Sequence, residues 1–119
     1  MDHLKRGCHI NAIGSYKPEM QEIDPEIIRS SLVYFDDREA CTKESGDIIR
    51  AKKDPKTTPD NFIGEIGEYV LSRIRGRSNT DETTLFKSVG TAIQDFVVAD
   101  RIYTKSLATG FGTEIRLYE

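Results

Sequence analysis

Apolar and polar positions along the chain follow two patterns, which predict strands and helices in turn. Short apolar runs at residues 8–13 and 32–35, closed by a glycine and by two aspartates respectively, are typical of buried strands. Threonine, leucine and phenylalanine give residues 83–86 the composition of a third strand. At residues 113–118, two apolar side chains that share one face predict a last strand.

Capping residues mark the first two predicted helices. Asp24 is expected to cap the first helix. Pro25 fits the first position of that helix, because the N–H group that proline lacks would have no hydrogen-bond partner there. Residues 38–45 form the second predicted helix, with Gly46 as its C-cap. Residues 52–60 contain two prolines and many charged side chains, which predicts a surface loop.

Two further helices are predicted from apolar spacing. The i, i+4, i+7, i+8 pattern that begins at Phe62 predicts an amphipathic helix ending near Gly76. Ser88 is expected to cap a long helix whose apolar stripe continues to Tyr103 and which ends at Gly110. The resulting order, β-α-β-α-α-β-α-β, predicts an α/β architecture around a largely parallel sheet.

Composition and charge narrow the classes of partner. A chain of 119 residues is one domain or part of one, and its 37% hydrophobic content is enough for a core. A net charge of −3 and scattered basic residues exclude a nucleic-acid or anionic-lipid surface. No apolar run has the length of a membrane span, and the first residues lack the apolar core of a signal peptide. We therefore expect a cytoplasmic protein that binds neither nucleic acid nor membrane.

Residues with metal-binding or redox chemistry do not cluster in the sequence. Cys8 and Cys41 lie far apart and are expected as reduced thiols. His9 lies early in a predicted strand and is interpreted as a structural hydrogen-bonding residue. The adjacent carboxylates of Asp36 and Asp37 are explained by the end of a strand. No metal site is predicted.

Candidate binding chemistry lies where two predicted strands end. Ligands of parallel α/β sheets bind beyond the carboxyl ends of the strands. Gly14 would allow a ligand to approach the backbone, and the Ser15 hydroxyl and nearby N–H groups could meet a nucleotide. Ser88 would place a hydroxyl at the positive end of a helix. A plain turn and a plain helix cap explain the same residues, so the residues alone leave both interpretations open.

Longer motifs include both of these strand ends. They are H-I-N-A-I-G-S at residues 9–15 and L-F-K-S-V-G at residues 85–90, with D-D-R-E-A (36–40), E-S-G-D (44–47), I-G-E (66–68) and G-x-G-T (110–113) between and after them. In sequence and in order, these motifs resemble the ornithine cyclodeaminase/mu-crystallin family, whose members bind NAD(P). The resemblance implies that residues 1–119 are the C-terminal part of a Rossmann-like, doubly wound NAD(P)-binding domain, which would be incomplete.

The resemblance also implies roles for individual residues with NAD or NADP as cofactor. The residues expected to contact the cofactor are Ile13, Gly14, Ser15 and Tyr16 beside the nicotinamide, Met20 on the following loop, and Ser88, while Val89 would contact the substrate. Tyr16 stands where cyclodeaminases have an acid/base aspartate, and Met20 stands where many have a lysine. These departures favour the members that reduce cyclic imines, or oxidise the matching amino acids, over ornithine cyclodeamination.

The glycine-rich turn and the substrate-binding cations that the family carries upstream do not occur in these 119 residues. The leading hypothesis is therefore the C-terminal portion of an NAD(P)-dependent cyclodeaminase or imine reductase that is inactive alone. One alternative is half of a split enzyme completed by a separate N-terminal chain. Another is a non-catalytic pseudoenzyme or interaction remnant. Self-association is also expected, because a sheet edge and an apolar helix face would be uncovered.

Overall fold

Four parallel strands form the centre of the structure, a computed structural model that describes residues 4–118. In chain order they are β1 (His9–Ala12), β2 (Ser31–Phe35), β3 (Phe62–Glu65) and β4 (Thr83–Lys87). Their order across the sheet is β1-β4-β2-β3, so the last strand lies between the first two. The predicted α/β fold with a parallel sheet is confirmed.

Five α-helices and one short 3₁₀ helix (Pro59–Asn61) are present within residues 4–118. The α-helices are α1 (Pro25–Arg29), α2 (Arg38–Glu44), α3 (Gly46–Lys53), α4 (Ile66–Val70) and α5 (Ala92–Thr109). Two predictions about helix ends are confirmed. Asp24 caps α1 by accepting a 2.7 Å hydrogen bond from the Glu26 amide. Gly110 adopts a left-handed φ of 66° and ends α5.

One face of the sheet carries the hydrophobic core. Val33 of β2 is paired with Leu85 of β4, and Phe35 with Lys87, so the inward positions of the two strands lie side by side. Helices α1, α2 and α3 cover this face. The fully buried apolar residues form one cluster: Ala12, Ile28, Val33, Phe35, Cys41, Ile48, Ala51 and Leu85.

The opposite face of the sheet is only partly covered. His9 and Thr84 are paired across β1 and β4, and their side chains form a 2.8 Å hydrogen bond. Tyr34 of β2 packs edge-on against Tyr69 of α4, with ring centroids 5.8 Å apart. An open cavity of about 550 Å³ remains on this face, lined by His9, Tyr34, Ile66, Tyr69, Gly76, Arg77 and Thr84.

The amphipathic helix predicted from Phe62 to Gly76 is correct only for residues 66–70 and is wrong on both sides of them. Phe62 begins strand β3, which pairs with β2, and only the five residues of α4 are helical. The Phe62 ring packs 5.9 Å from the ring of Phe35, next to the core. Pairing with an available strand edge therefore outweighs a helical spacing of apolar side chains.

Gly46 has a different role from the predicted C-cap. Ser45 is the C-cap of α2, and Gly46 begins α3, which continues to Lys53 and so includes part of the predicted loop. A Cβ atom at Gly46 would lie 2.0 Å from the carbonyl oxygen of Met20 and 2.5 Å from that of Pro18. Glycine is therefore required here by the close approach of another segment.

The predicted cap of the long helix is also wrong. Thr91 is the N-cap of α5, and Ser88 lies three residues before it. The Ser88 hydroxyl donates instead to Asp36, at 2.6 Å. Gly90, which lies between Ser88 and Thr91, has a left-handed φ of 85°. This backbone conformation prevents the helix from starting before Thr91.

The segment after β4 is uncovered over most of its length. No residue of α5 is buried, although the predicted apolar stripe is helical. Residues 113–118 form no strand, so the last predicted strand is wrong. A strand needs a hydrogen-bonded neighbour, and none lies alongside these residues in the described part of the chain. None of the helices between residues 4 and 118 combines the length and apolar character needed to cross a membrane.

Candidate functional site

The carboxyl ends of three strands meet at one edge of the sheet. Ala12, Lys87 and Phe35 are in register across β1, β4 and β2. Two 3.1 Å backbone hydrogen bonds extend this register by one residue, from the Ser88 amide to Ala12 and from the Asp36 amide to Lys87. The residues that follow the strands therefore lie side by side, where ligands of parallel sheets bind.

The loop after β1 has an exposed and a buried side. Ile13 is 68% exposed and Tyr16 is 50% exposed, whereas Ser15 is 1% exposed. The Ser15 hydroxyl donates to the carbonyl oxygen of Met20 at 3.2 Å. The amides of Gly14 and Ser15 donate to one oxygen of Glu22, at 2.7 and 3.0 Å. These donors, which we expected to meet a nucleotide, are occupied within the loop.

A buried ion cluster lies beneath this loop. The Lys87 side chain is fully buried, and its Nζ atom lies 2.8 Å from Glu22 Oε1 and 3.4 Å from Asp47 Oδ2. Burial alone would raise the pKa of Glu22, but hydrogen bonds from Lys87 and from the Ser15 and Gly14 amides outweigh it and lower the pKa. Sequence reasoning missed all three charged residues of the cluster. The available signal was a lysine two positions after Leu85, on the inward face of a strand.

Asp36 organises the turn after β4. Its Oδ2 atom accepts hydrogen bonds from the Ser88 hydroxyl at 2.6 Å and from the Gly90 amide at 3.2 Å. Its Oδ1 atom accepts from the Asp37 amide at 2.7 Å and from the Cys41 thiol at 3.1 Å. Burial alone would raise the pKa of Asp36, but these hydrogen bonds outweigh it and lower the pKa. A residue interpreted as a strand stop therefore fixes the position of Ser88.

The Cys41 thiol is held in its neutral form. Burial, the hydrogen bond to Asp36 and the charge of that carboxylate together raise the pKa of Cys41 to about 12. Cys8 and Cys41 are both free thiols, as predicted. Within residues 4–118, no group of three or more His, Cys, Asp or Glu side chains could hold a metal ion.

The structure brings most of the predicted site residues to one edge. Ile13, Gly14 and Ser15 follow β1, and Ser88 and Val89 follow the neighbouring strand β4. Val89 packs against the core cluster.

Tyr16 and Met20 lie further along the loop after β1. The Lys17 ammonium lies 5.6 Å from the centre of the Tyr16 ring, while the Met20 carbonyl accepts a 2.7 Å hydrogen bond from Arg50.

The exposed apolar surface of Ile13 is the feature of this edge that suits a planar cofactor ring. An exposed aliphatic side chain offers a ring a flat contact from which water is displaced. Tyr16 adds a phenol that can donate a hydrogen bond. The buried ion cluster and Asp36 fix the backbone on which these side chains stand, so little ordering is required when a ligand binds.

Similarity to known proteins is strong over nearly the whole chain. The sequence model of the ornithine cyclodeaminase/mu-crystallin family matches residues 1–110. Delta(1)-pyrroline-2-carboxylate reductase of Bacillus thuringiensis subsp. konkukian (strain 97-27) is 36% identical over 115 residues, which are 96% of this chain and 35% of the relative. Ketimine reductase mu-crystallin of Mus musculus is 39% identical over 100 residues, 84% of this chain and 29% of the relative.

A solved structure with bound ligands has the same fold. The structure of Thermococcus litoralis Delta(1)-pyrroline-2-carboxylate reductase in complex with NADH and L-proline matches with a TM-score of 0.82 and 38% identity. The match covers 94% of this chain and 35% of that one. The chain thus spans about a third of the length of the relatives that it matches. On its sequence and on its fold, the chain belongs to the ornithine cyclodeaminase/mu-crystallin family.

Proposed function

We propose that this chain is the nicotinamide-facing portion of an NAD(P)-dependent reductase that converts a cyclic imine, such as pyrroline-2-carboxylate, to the matching amino acid. The observation that supports this proposal most is the exposed Ile13 and Tyr16 surface at the carboxyl edge of the sheet. The same region of the fold is present in a relative whose structure contains NADH and L-proline.

The cofactor would supply the hydride, and the residues of this chain would orient it. Ile13, Gly14, Ser15 and Tyr16 would lie beside the nicotinamide, with Ile13 in apolar contact and Ser15 shaping the loop from below. Ser88 would act through the turn that Asp36 holds, and Val89 would border the substrate. The Tyr16 phenol would donate a hydrogen bond near the reacting imine.

A reductase fits the loop better than a cyclodeaminase does. The family resemblance places an acid/base aspartate at Tyr16 and a lysine at Met20 in cyclodeaminases, and this chain has neither. A neutral tyrosine is a weak base near neutral pH. Hydride transfer needs a positioned donor and acceptor more than a strong base. Ornithine cyclodeamination is therefore the less favoured activity.

We infer that activity requires further elements that these residues do not supply. The chain spans about a third of its relatives, and it contains no glycine-rich turn for the pyrophosphate. In the described part of the chain, β1 ends the sheet on one side and one face is open. A complementary N-terminal half, joined covalently or encoded separately, would extend the sheet from β1. The pseudoenzyme alternative predicts that such a half restores no turnover.

The cytoplasmic location stays a prediction.

Mixing experiments test the proposal. The 119-residue chain alone is expected to show no NADH-dependent turnover of pyrroline-2-carboxylate and weak NADH binding by calorimetry. Addition of the part of the Thermococcus litoralis reductase that this chain does not match is expected to restore turnover. Tight NADH binding by the chain alone, or turnover without the added part, would contradict the requirement for a second half.

Matched variants locate the site in the same assay. Ile13→Asp places a charge on the proposed nicotinamide surface, and Val70→Asp places one on an apolar residue of α4 that is 75% exposed. In the complemented mixture, the Ile13→Asp variant is expected to lose NADH binding, whereas the Val70→Asp variant should retain it. Equal binding by the two variants would exclude Ile13 from the site.

A further inference from the structure

We propose that Lys87 is a positioning residue whose buried ammonium, acting through Glu22, holds the segment at residues 13–16 in its binding conformation. The assignment of that segment to a cofactor depends on the function proposed above. The positioning itself is a property of the folded chain. Lys87 has no exposed surface of its own, so its effect on any ligand would be transmitted by Glu22 and the loop.

One carboxylate oxygen connects the sheet to the loop. Glu22 Oε1 accepts three hydrogen bonds, from Lys87 Nζ at 2.8 Å and from the amides of Gly14 and Ser15 at 2.7 and 3.0 Å. Lys87 ends β4, which has a strand on each side in the described sheet. The cation is therefore fixed by one of the two central strands of the described sheet, and through Glu22 it fixes two consecutive amides soon after β1.

Asp47 fixes the far end of the same loop. Its Oδ1 atom accepts hydrogen bonds from the Glu22 and Ile23 amides at 2.9 and 3.1 Å, while its Oδ2 atom lies 3.4 Å from Lys87 Nζ. The Asp47 side chain has no exposed area. One ammonium thus neutralises two carboxylates, and each carboxylate binds backbone amides at one end of the loop.

Other contacts fill the space between these two ends. The Gly46 amide donates to the carbonyl oxygen of Lys17 at 3.1 Å. The Arg50 guanidinium donates to the carbonyl oxygens of Met20 and Glu19, at 2.7 and 2.8 Å. The loop is therefore preformed on α3, and the charge cluster sets its position relative to the sheet.

A purely structural role would not require charge at this position. Buried ion pairs are weak contributors to stability, and apolar residues of similar size often replace them without loss. Their best-attested use is to specify one arrangement among several. In this chain the arrangement specified is that of two amides at the edge where the strands end.

Removal of the Lys87 charge would change the protonation of its carboxylate partners, whereas the loss of packing contacts alone would not. The hydrogen bond and the charge of Lys87 help to lower the pKa of Glu22, so loss of Lys87 would raise that pKa and favour uptake of a proton by Glu22. The other ionisable groups packed around Lys87 are Cys41 of α2, whose thiol donates to the Lys87 carbonyl, and Asp36, whose amide does the same. The Arg50 guanidinium donates to backbone carbonyls of the same loop.

The amide signals of Gly14 and Ser15 in nitrogen–proton correlation spectra report this difference. In the wild-type chain they are expected to stay constant from about pH 6 to about pH 8, because Glu22 remains ionised there. In Lys87→Met they are expected to titrate within that window. The double variant Glu22→Gln/Lys87→Met, which removes the unpaired charge, should be pH-independent again. Lys53→Met changes an exposed lysine of α3 in the same way and should match the wild type.

Two results would overturn the positioning role. If Lys87→Met lowers stability but leaves the Gly14 and Ser15 signals independent of pH, Lys87 acts by packing alone. If Lys87→Met does not fold, Glu22→Gln replaces it, and hydrogen exchange of the two amides is expected to be about tenfold faster than in Lys53→Met. Unchanged exchange in Glu22→Gln would equally refute the proposal.

Ligand binding separates this proposal from the proposed function. In the complemented mixture, Lys87→Met is expected to weaken NADH binding about tenfold or more, since displaced binding groups lose much of their effect. If the wild-type mixture binds no NADH while the amide signals behave as expected, the proposed function fails and the positioning of the loop stands. If Lys87→Met binds NADH as tightly as the wild type, the positioning role fails and the proposed function stands.

Discussion

Asp36 shows how one side chain can organise the edge of the sheet where the strands end. One of its carboxylate oxygens accepts hydrogen bonds from the Ser88 hydroxyl and the Gly90 amide. The other accepts hydrogen bonds from the Cys41 thiol and the Asp37 amide. Because each oxygen already accepts two hydrogen bonds, Asp36 holds the turn after β4 and has no oxygen free to bind a ligand. Its hydrogen bond to Ser88 fixes the position of that side chain, directly before Val89.

Stability should depend on the charge of Asp36. Its pKa is lowered in the folded chain, so its contribution is present above about pH 4 and is lost as pH falls through the lowered pKa. Asp36→Asn is expected to destabilise the chain by about 1–3 kcal/mol at neutral pH and to flatten the acid limb of the stability profile. Urea unfolding at a series of pH values measures both. Asp60→Asn, at an exposed aspartate, is the control, and the same profile for both variants would contradict the role of Asp36.

Thiol labelling should distinguish the two cysteines. Cys41 is fully buried and its pKa is raised to about 12, so almost no thiolate is present at pH 8. Cys8 is partly exposed. We expect iodoacetamide to label only Cys8 in the folded chain and both cysteines after denaturation, as measured by mass spectrometry of the digested protein. Equal labelling of the two in the native chain would contradict the burial of Cys41 and its raised pKa.

Residues with local roles could be predicted from the sequence, and residues with distant partners could not. Asp24 caps the helix that begins at the next residue, so its role is visible in the order of residues. Lys87 and Glu22 are 65 positions apart, and their contact depends on the packing of β4 beneath the loop after β1. Sequence periodicity contains no information about that packing beyond the inward direction of Lys87.

At the scale of elements, strand pairing decided the cases where local patterns were ambiguous. The apolar spacing from Phe62 is compatible with a helix, yet β2 offers an open edge and β3 pairs with it. The strands at residues 8–13 and 83–86 were predicted to within two residues, because each is a short apolar run bounded by polar residues. Residues 113–118 have similar composition and no neighbour within the described chain, so they form no strand.

The start of α3 should tolerate no side chain at Gly46. An alanine Cβ atom would meet the Met20 and Pro18 carbonyl oxygens at 2.0 and 2.5 Å, so the loop would have to move. Gly46→Ala is expected to destabilise the chain by about 1–3 kcal/mol in urea unfolding, as overpacking does.

Gly67→Ala is the matched control for this effect. Gly67 lies in α4 and a Cβ atom there has no neighbour within 4 Å, so the substitution is expected to be neutral or slightly stabilising. If the two alanine variants were equally stable, the close approach of the loop to α3 would be refuted.

At the scale of the whole molecule, α5 is the element whose surroundings are least explained by the chain itself. Its periodicity correctly predicted a helix with an apolar stripe, and a stripe of this kind normally faces a core. The large apolar residues of α5 are all more than half exposed: Ile93, Phe96, Val97, Val98, Ile102, Tyr103 and Leu107. The sequence predicted the helix because periodicity is local. The residues that the structure describes leave this helix uncovered.

We therefore predict that the 119-residue chain self-associates unless a complementary half covers α5. Phe96 and Leu107 lie on one stripe of the helix and are each 68% exposed, so burial of such side chains between molecules is favourable. Light scattering after gel filtration is expected to give a mass that rises with concentration for the wild type. Phe96→Lys/Leu107→Lys should shift the chain towards the monomer, while Gln94→Lys/Thr104→Lys, which adds the same charge at polar positions of α5, should shift it less. A concentration-independent monomer for the wild type would show that the exposed helix does not drive association.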